Sequence, residues 1–250
     1  MPQSKRCVFC TVSELVYNFN IMKKTGKLFV VATPIGNIGD ITARALEILR
    51  AVDSILCEER KVAARLLKQF EISKPLIEVN EHNEAEMVQE ILVKLAQGES
   101  MALISDCGTP VFSDPGRAVL EMLYGSGFEV VPIPGASSLI TAISVCPFDL
   151  RQFQFLGFLP PKTEQRKPFL QRSSNAGQAL ILMDTPYRLG KLLEEVAAVF
   201  GKNQNVFLAA DLTLPGEKIL VGPISEIQAK MRDRKAEFIL IIEKNQRRKQ

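Results

Sequence analysis

From Lys27 to Val145 short apolar runs alternate with stretches of helical spacing, and this alternation narrows the possible folds more than any other feature. KLFVVA (27–32), DSILCE (53–58), PLIEVN (75–80), MALISD (101–106) and FEVVPI (128–133) read as buried strands. ITARALEILRAV (41–52), RKVAARLLKQF (60–70), NEAEMVQEILVKLAQG (83–98), AVLEMLYGSG (118–127) and ASSLITAISV (136–145) read as helices. Thr42 or Asp40 caps the first helix, and Gly98 stops the third. Strands separated by helices pair in parallel, so the expected architecture is a largely parallel sheet with helices on both faces.

The segment CPFDLRQ (146–152) interrupts the pattern with a proline and charges. Beyond it, FQFLGFLP (153–160), QALILMD (178–184), NVFLAAD (205–211), EKILVG (217–222) and AEFILIIE (236–243) read as strands. TEQRKPFLQRSS (163–174) and YRLGKLLEEVAAVF (187–200) read as helices, with one further short helix before the last strand. Two hairpin-like strands beside helices call for a mixed α/β sheet. The expected division is an N-terminal extension over 1–26, an α/β domain over 27–148, a second over 149–244 and a tail over 245–250. Met22 opens MKKTGKLFVVA, so either Met22 is the natural start of the chain or the residues before it are a loosely ordered extension.

Composition excludes several classes. With 46% hydrophobic and 24% charged residues, the 250-residue chain is that of a soluble globular protein. No apolar run reaches the roughly 18 residues of a membrane span. A net charge of +3 does not describe a nucleic-acid coat. Five scattered cysteines, Cys7, Cys10, Cys57, Cys107 and Cys146, fit a reducing cytoplasm better than a disulfide framework. Cys7 and Cys10 have metal-like spacing but no second ligand pair, and His82 is the only histidine, so no metal site is expected.

Three loops carry more turn chemistry than a strand–helix link needs. TPIGNIGD (33–40) follows the first strand, SDCGTPVFSDPG (105–116) the fourth and PIPGASS (132–138) the fifth. Ligands of open parallel sheets bind at the carboxyl ends of strands, where these loops lie. Glycine there lets backbone approach a ligand, and proline stiffens the loop. The P-loop, the G-x-G-x-x-G fingerprint and the G-x-S-x-G elbow are all absent, so these motifs leave the ligand unnamed.

ATPIGNIGDIT, SDCGTP with SDPG, VVPIPGASS and GFLPPK, in this order and spacing, resemble the 16S ribosomal RNA (cytidine-2′-O)-methyltransferase family of the tetrapyrrole-methylase superfamily. The resemblance runs from about Lys27 to Lys244. It implies a two-domain α/β fold with a mostly parallel N-terminal sheet, a mixed C-terminal sheet and the ligand cleft between them. It also implies an S-adenosyl-L-methionine-dependent enzyme, typically a homodimer, that methylates a cytidine ribose of the small ribosomal subunit. By the same resemblance, Ser105, Asp106, Gly108, Thr109 and Pro110 grip the donor, with Pro34, Ile35 and Gly36 in the cleft wall and Gly135, Ala136 and Ser137 in a further loop. Met183, Ala210 and Ala236 close over it from the second domain. Tetrapyrrole methylation and donor binding without turnover are the alternatives.

The chain departs from the family pattern at several points. Glu58-Glu59-Arg60-Lys61 stands where the family has Glu-Asp-Thr-Arg. Met183-Asp184-Thr185 replaces Tyr-Glu-Ser, Ala210-Asp211-Leu212-Thr213-Leu214 replaces Arg-Glu-Leu-Thr-Lys, and Ala236-Glu237 replaces Gly-Glu. His82-Asn83 matches. Glu58 and Glu59 are either a catalytic pair or the acidic first turn of a helix. His82, with Asn83, is either a base or RNA contact or a helix cap. Lys162, Arg166, Lys167 and Arg172 form either a solvated face or a phosphate-binding one. Asp114 and Pro115 read as the N-cap and first residue of the fourth helix.

Overall fold

The structure, a computed structural model, describes residues 25–112 and 114–244. The expectations attached to Cys7, Cys10 and Met22 and to the 245–250 tail lie outside the described residues. Contacts divide the chain into two compact units that part between Ser137 and Ser138.

The first unit runs β1 (Leu28–Val31), α1 (Ala43–Ala51), β2 (Ser54–Cys57), α2 (Arg60–Gln69), β3 (Leu76–Glu78), α3 (Glu84–Ala96), β4 (Met101–Ile104), α4 (Arg117–Gly125) and β5 (Val130–Ile133). The strand order is β3-β2-β4-β1-β5, and each neighbouring pair is parallel. Alternate residues of each strand feed two separate cores, as the two-residue period of a strand requires. Leu28, Leu56, Met101 and Leu103 pack with Val88, Ile91 and Leu95 of α3 and Val119 and Leu123 of α4. Val31, Ile55, Cys57, Ala102 and Ile104 pack with Ala45 and Leu49 of α1 and Ala63 and Leu67 of α2. Helices therefore cover both faces of a parallel sheet, as the alternation requires. Thr42 is the cap of α1: its Oγ1 accepts the Ala45 N–H at 3.1 Å.

The second unit runs α5 (Ser138–Val145), β6 (Phe153–Phe158), α6 (Thr163–Ser173), β7 (Ala179–Asp184), α7 (Leu189–Phe200), β8 (Asn205–Ala210), β9 (Lys218–Pro223), α8 (Ile224–Lys230) and β10 (Phe238–Ile242). Its order is β6-β7-β10-β8-β9, with β6 parallel to β7 and the other pairs antiparallel. This is the mixed sheet expected, and β8–β9 is its hairpin-like pair. Helices α6, α7 and α8 share one core with the sheet, through Leu170, Leu192, Val196, Ile224 and Ile227. Helix α5, which closes the first alternating run in sequence, packs against β10 and belongs by contact to this unit.

One reading of the basic helix is corrected here. Arg166 is on neither a solvated nor an RNA-binding face: its side chain is 3% exposed and pairs with Glu195 of α7, itself 1% exposed. Helical spacing puts Arg166 on the same side as Leu170, the buried side of α6.

Candidate functional site

Adjacent strands β1 and β4 lead into helices on opposite faces of the first sheet, α1 after β1 and α4 after β4. Their carboxyl ends thus flank a topological switch point, where the two departing loops leave a crevice. The loops are 33–40 and 105–116, and they are tied together. Thr33, 1% exposed, donates from Oγ1 to the Ser105 carbonyl at 3.0 Å and accepts the Gly108 N–H at 3.1 Å. Its own N–H donates to the Gly108 carbonyl at 2.9 Å. The third loop joins through Thr109, whose hydroxyl donates to the Ala136 carbonyl at 3.1 Å.

Two glycines matter here for space. A Cβ on Gly108, where φ is +85°, would sit 3.0 Å from Ile35 Cγ2. One on Gly135 would sit 3.0 Å from Ala32 Cβ. The main chain of all three loops is drawn together at positions that tolerate little more than hydrogen. Val111 has φ +68°, a conformation that costs a β-branched residue of order 1–3 kcal/mol. Pro34 and Ile35 are half-buried, Pro110 is buried, and Gly36 and Gly135 are exposed.

Asp106 follows β4, and its Oδ1 accepts the Glu59 N–H at 3.3 Å, linking the β4 and β2 loops. Burial pushes its carboxyl above the usual range, against the Glu59 N–H bond, and the Glu59 and Asp114 carboxylates push the same way. Asp114 is not the cap of α4, contrary to the sequence reading. It accepts the Ser105 hydroxyl at 2.5 Å, and Gly116 occupies the cap position with φ +125°. The cap is supplied from elsewhere. Glu84, the first residue of α3, accepts the N–H groups of Gly116 at 3.0 Å, Ala118 at 2.6 Å and Val119 at 3.4 Å.

Glu58 and His82 line one cleft of about 500 Å³ with Asn80, Glu81, Glu84, Asp114 and Pro115. Burial raises the Glu58 carboxyl, and Asp114, Asp106, Glu81 and Glu59 add to it. His82 is exposed at 85% of its side chain, with Glu81 3.4 Å away. Asn83 is committed to the turn: its Oδ1 accepts the Asn80 N–H at 2.8 Å and its amide donates to the Glu78 carbonyl at 3.0 Å. Glu59 holds the position before α2 without a side-chain cap bond. Among the described residues, no group of three or more His, Cys, Asp or Glu side chains is placed to hold a metal ion.

A prediction follows from the crowding around Glu58. Its folded-state carboxyl titrates above its unfolded value, so ionising it in the folded state costs stability. That cost is present above the folded value and vanishes as pH falls below the unfolded one. Glu58→Gln is therefore expected to raise the melting temperature at pH 7–8, with the gain disappearing as pH drops through the ordinary carboxylate range near 4. Thermal denaturation of both proteins across pH 3.5–8 checks this. A gain that persists at the acid end would mean packing, not charge, is responsible.

In the second unit, Met183, Ala210 and Ala236 lie near one end of the sheet but not on one face: Ala210 and Ala236 belong to the helix-covered core, and Met183, out of step with Leu180 and Leu182 of that core, is on the opposite face. Phe238 of β10 is paired with Asp184 on one side and Ala210 on the other, so the ends of β7 and β8 flank the start of β10. Ala210 and Ala236 are buried. Asp211 braces the 234–237 segment: it pairs with Arg234 at 2.7 Å and accepts the Glu237 N–H at 3.1 Å.

Sequence reasoning missed Thr33 and Glu84, since both act on partners more than 30 residues away. The one local signal was the absence of a capping side chain at Gly116, which leaves α4 needing a remote one.

The first unit is thus doubly wound with a switch-point crevice, and the second is built on a mixed sheet. Residues 27–228 match the model of the Tetrapyrrole (Corrin/Porphyrin) Methylases. The fold is similar to that of uroporphyrin-III-C-methyltransferase from Thermus thermophilus, with a TM-score of 0.58 at 20% identity over 88% of this chain and 94% of that one. Closer in sequence is Ribosomal RNA small subunit methyltransferase I of Xylella fastidiosa, 37% identical over 89% of this chain and 83% of its own length. The protein of that name from Escherichia coli O157:H7 is 39% identical over 87% and 78%. That from Synechocystis is 37% identical over 87% and 78%. The chain belongs to the tetrapyrrole methylase family and, within it, to the group of ribosomal RNA small subunit methyltransferases I.

Proposed function

We propose that this chain transfers a methyl group from S-adenosyl-L-methionine to the 2′-hydroxyl of a cytidine ribose in small-subunit ribosomal RNA. The observation that carries the reading is the switch-point crevice between β1 and β4, where loops 33–40, 105–116 and 132–138 are knit together. Its main-chain and carboxylate groups suit the polar parts of such a donor. Main chain is brought close at Gly108 and Gly135, where a Cβ would meet its neighbours at 3.0 Å. The Asp106 carboxylate offers an acceptor for an amino group or ribose hydroxyls. When bound, the donor supplies an electrophilic methyl on a sulfonium. The chain's task is then to hold the acceptor oxygen in line, since positioning supplies much of the rate in a displacement. Glu58, whose raised carboxyl makes it a better base than an ordinary glutamate, is the group proposed to take the hydroxyl proton. His82, exposed at the mouth of the same cleft, is proposed to meet the RNA.

Methylation of a tetrapyrrole is not favoured, because the likeness to the porphyrin enzyme is one of fold at 20% identity. No helix among the described residues is long and apolar enough to cross a membrane. A homodimer acting in the cytoplasm on the small ribosomal subunit completes the proposal.

Calorimetric titration of S-adenosylmethionine into the wild type and Asp106→Ala tests the donor site. Removing a charge-assisted hydrogen-bond partner is expected to weaken binding by about tenfold or more. Equal affinities would remove Asp106 from the site. Transfer of labelled methyl to small ribosomal subunits, followed by nucleoside analysis, tests the acceptor. A labelled base instead of a ribose would overturn the 2′-hydroxyl assignment.

A further inference from the structure

The turn after β7 holds a large aromatic ring out in solvent. Tyr187 is 77% exposed, the most exposed large hydrophobic side chain among the described residues. The turn beneath it is well anchored. Asp184, buried at the end of β7, accepts the Thr185 N–H at 2.7 Å and pairs with Arg188 at 2.8 Å. Arg188 also donates from Nε to Thr185 Oγ1 at 3.2 Å, and its N–H donates to the Thr185 carbonyl at 2.9 Å. Pro186 fixes the backbone between them. Four bonds thus brace a turn whose central side chain takes little part in the core.

A cation lies over the ring. Lys235 Nζ is 4.7 Å from the Tyr187 centroid. Lys235 comes from the segment before β10, which lies beside the end of β7 through the Phe238–Asp184 pair. Arg232 and Lys235 are both exposed. The acids nearby are mostly engaged. Asp211 is bound to Arg234, Asp184 to Arg188, and Glu217 accepts the Thr213 N–H at 2.7 Å. Asp233, between Arg232 and Lys235, and Glu237 are exposed acids of the group, and burial followed by Asp211 raises the Glu237 carboxyl. An exposed, pre-positioned ring with cations around it is how proteins hold unpaired bases: the base stacks on the ring and the cations meet its phosphates.

We propose that Tyr187 is a stacking platform for an unpaired base of the RNA substrate, with Lys235 and Arg232 contacting the flanking phosphates. This rests on the reading of RNA as the acceptor and extends it to a single-stranded segment.

The test is fluorescence anisotropy with a labelled, unstructured RNA of about twelve nucleotides and the same sequence as a duplex. The wild type, Tyr187→Ala, Tyr187→Phe and Lys235→Ala are compared over a range of salt. The single strand is expected to bind more tightly than the duplex. Tyr187→Ala is expected to lose roughly tenfold in affinity and Tyr187→Phe to keep most of it, since the ring carries the stacking. Lys235→Ala is expected to weaken binding and to reduce the slope of log affinity against log salt by about one. Wild-type affinity in Tyr187→Ala, or equal affinity for the duplex, would overturn the platform while leaving RNA as the acceptor. A wild type that binds the methyl donor yet neither binds nor methylates RNA would overturn both.

Discussion

Glu195→Ala is expected to cost the second unit about 3–5 kcal/mol, the range for breaking a buried ion pair from one side. The Arg166 guanidinium donates from Nη2 to Glu195 Oε1 at 2.9 Å and from Nε to Oε2. Its Nη1 donates to the Pro160 carbonyl at 3.0 Å and the Pro161 carbonyl at 2.9 Å, and Thr163 Oγ1 donates to Glu195 Oε1 at 3.1 Å. Removing Glu195 leaves a charge that is almost fully buried with only neutral partners. Burial alone would raise the Glu195 carboxyl, but the bonds from Arg166 and Thr163 outweigh it and hold it below the usual range. The pair's contribution is therefore present at neutral pH and is lost in acid, as pH falls through that lowered value. Replacing both partners, Arg166→Met with Glu195→Leu, is expected to recover most of the loss, because no buried charge remains. Urea unfolding of Arg166→Met, Glu195→Leu and the double variant gives the coupling directly. A double variant no more stable than Glu195→Ala would mean that the bonds to Pro160 and Pro161, and not the ion pair, hold the GFLPPK segment.

Glu84→Ala is expected to cost about 2–4 kcal/mol, more than an ordinary cap, since three N–H groups lose one carboxylate. The loss falls on the amino end of α4 and on the loop before it. There Gly116 already holds φ +125°, and a Cβ would stand 2.9 Å from Leu103 Cδ2. Glu84→Gln keeps an acceptor and is expected to lose about half as much. Thermal denaturation measures the cost, and hydrogen exchange locates it: faster exchange confined to 114–125 fits the cap. Uniform acceleration across the first unit would instead mean that Glu84 supports α3 and the whole sheet. Because the proposed donor site shares this loop through Ser105, Asp106 and Thr109, Glu84→Ala is also expected to weaken S-adenosylmethionine binding.

Most of the elements were legible from local pattern. The runs of β-branched and apolar residues mark the strands. The period of the helices, the Thr42 cap and the Gly98 stop mark where helices begin and end. The three loops rich in glycine and proline stand out because a simple link needs none of that chemistry. These three loops together with GFLPPK were enough to name the family, through their order and spacing.

Other features depended on which segments meet. Arg166 lies in a run of cations, and its sequence neighbours say surface; only the packing of α6 on α7 brings Glu195 to it. Asp114 and Pro115 have the form of a helix start, yet the cap of α4 comes from α3 because the two helices lie side by side on one sheet face. The strand order β3-β2-β4-β1-β5 puts the first and fourth strands next to each other and so creates the crevice. By itself, then, the sequence determined the elements, the turn chemistry and the family, since these depend on residues close together in the chain. The tertiary structure decided the strand order, the remote cap, the buried pair and the Tyr187–Lys235 stack, because burial and charge pairing act between residues that only folding brings into contact.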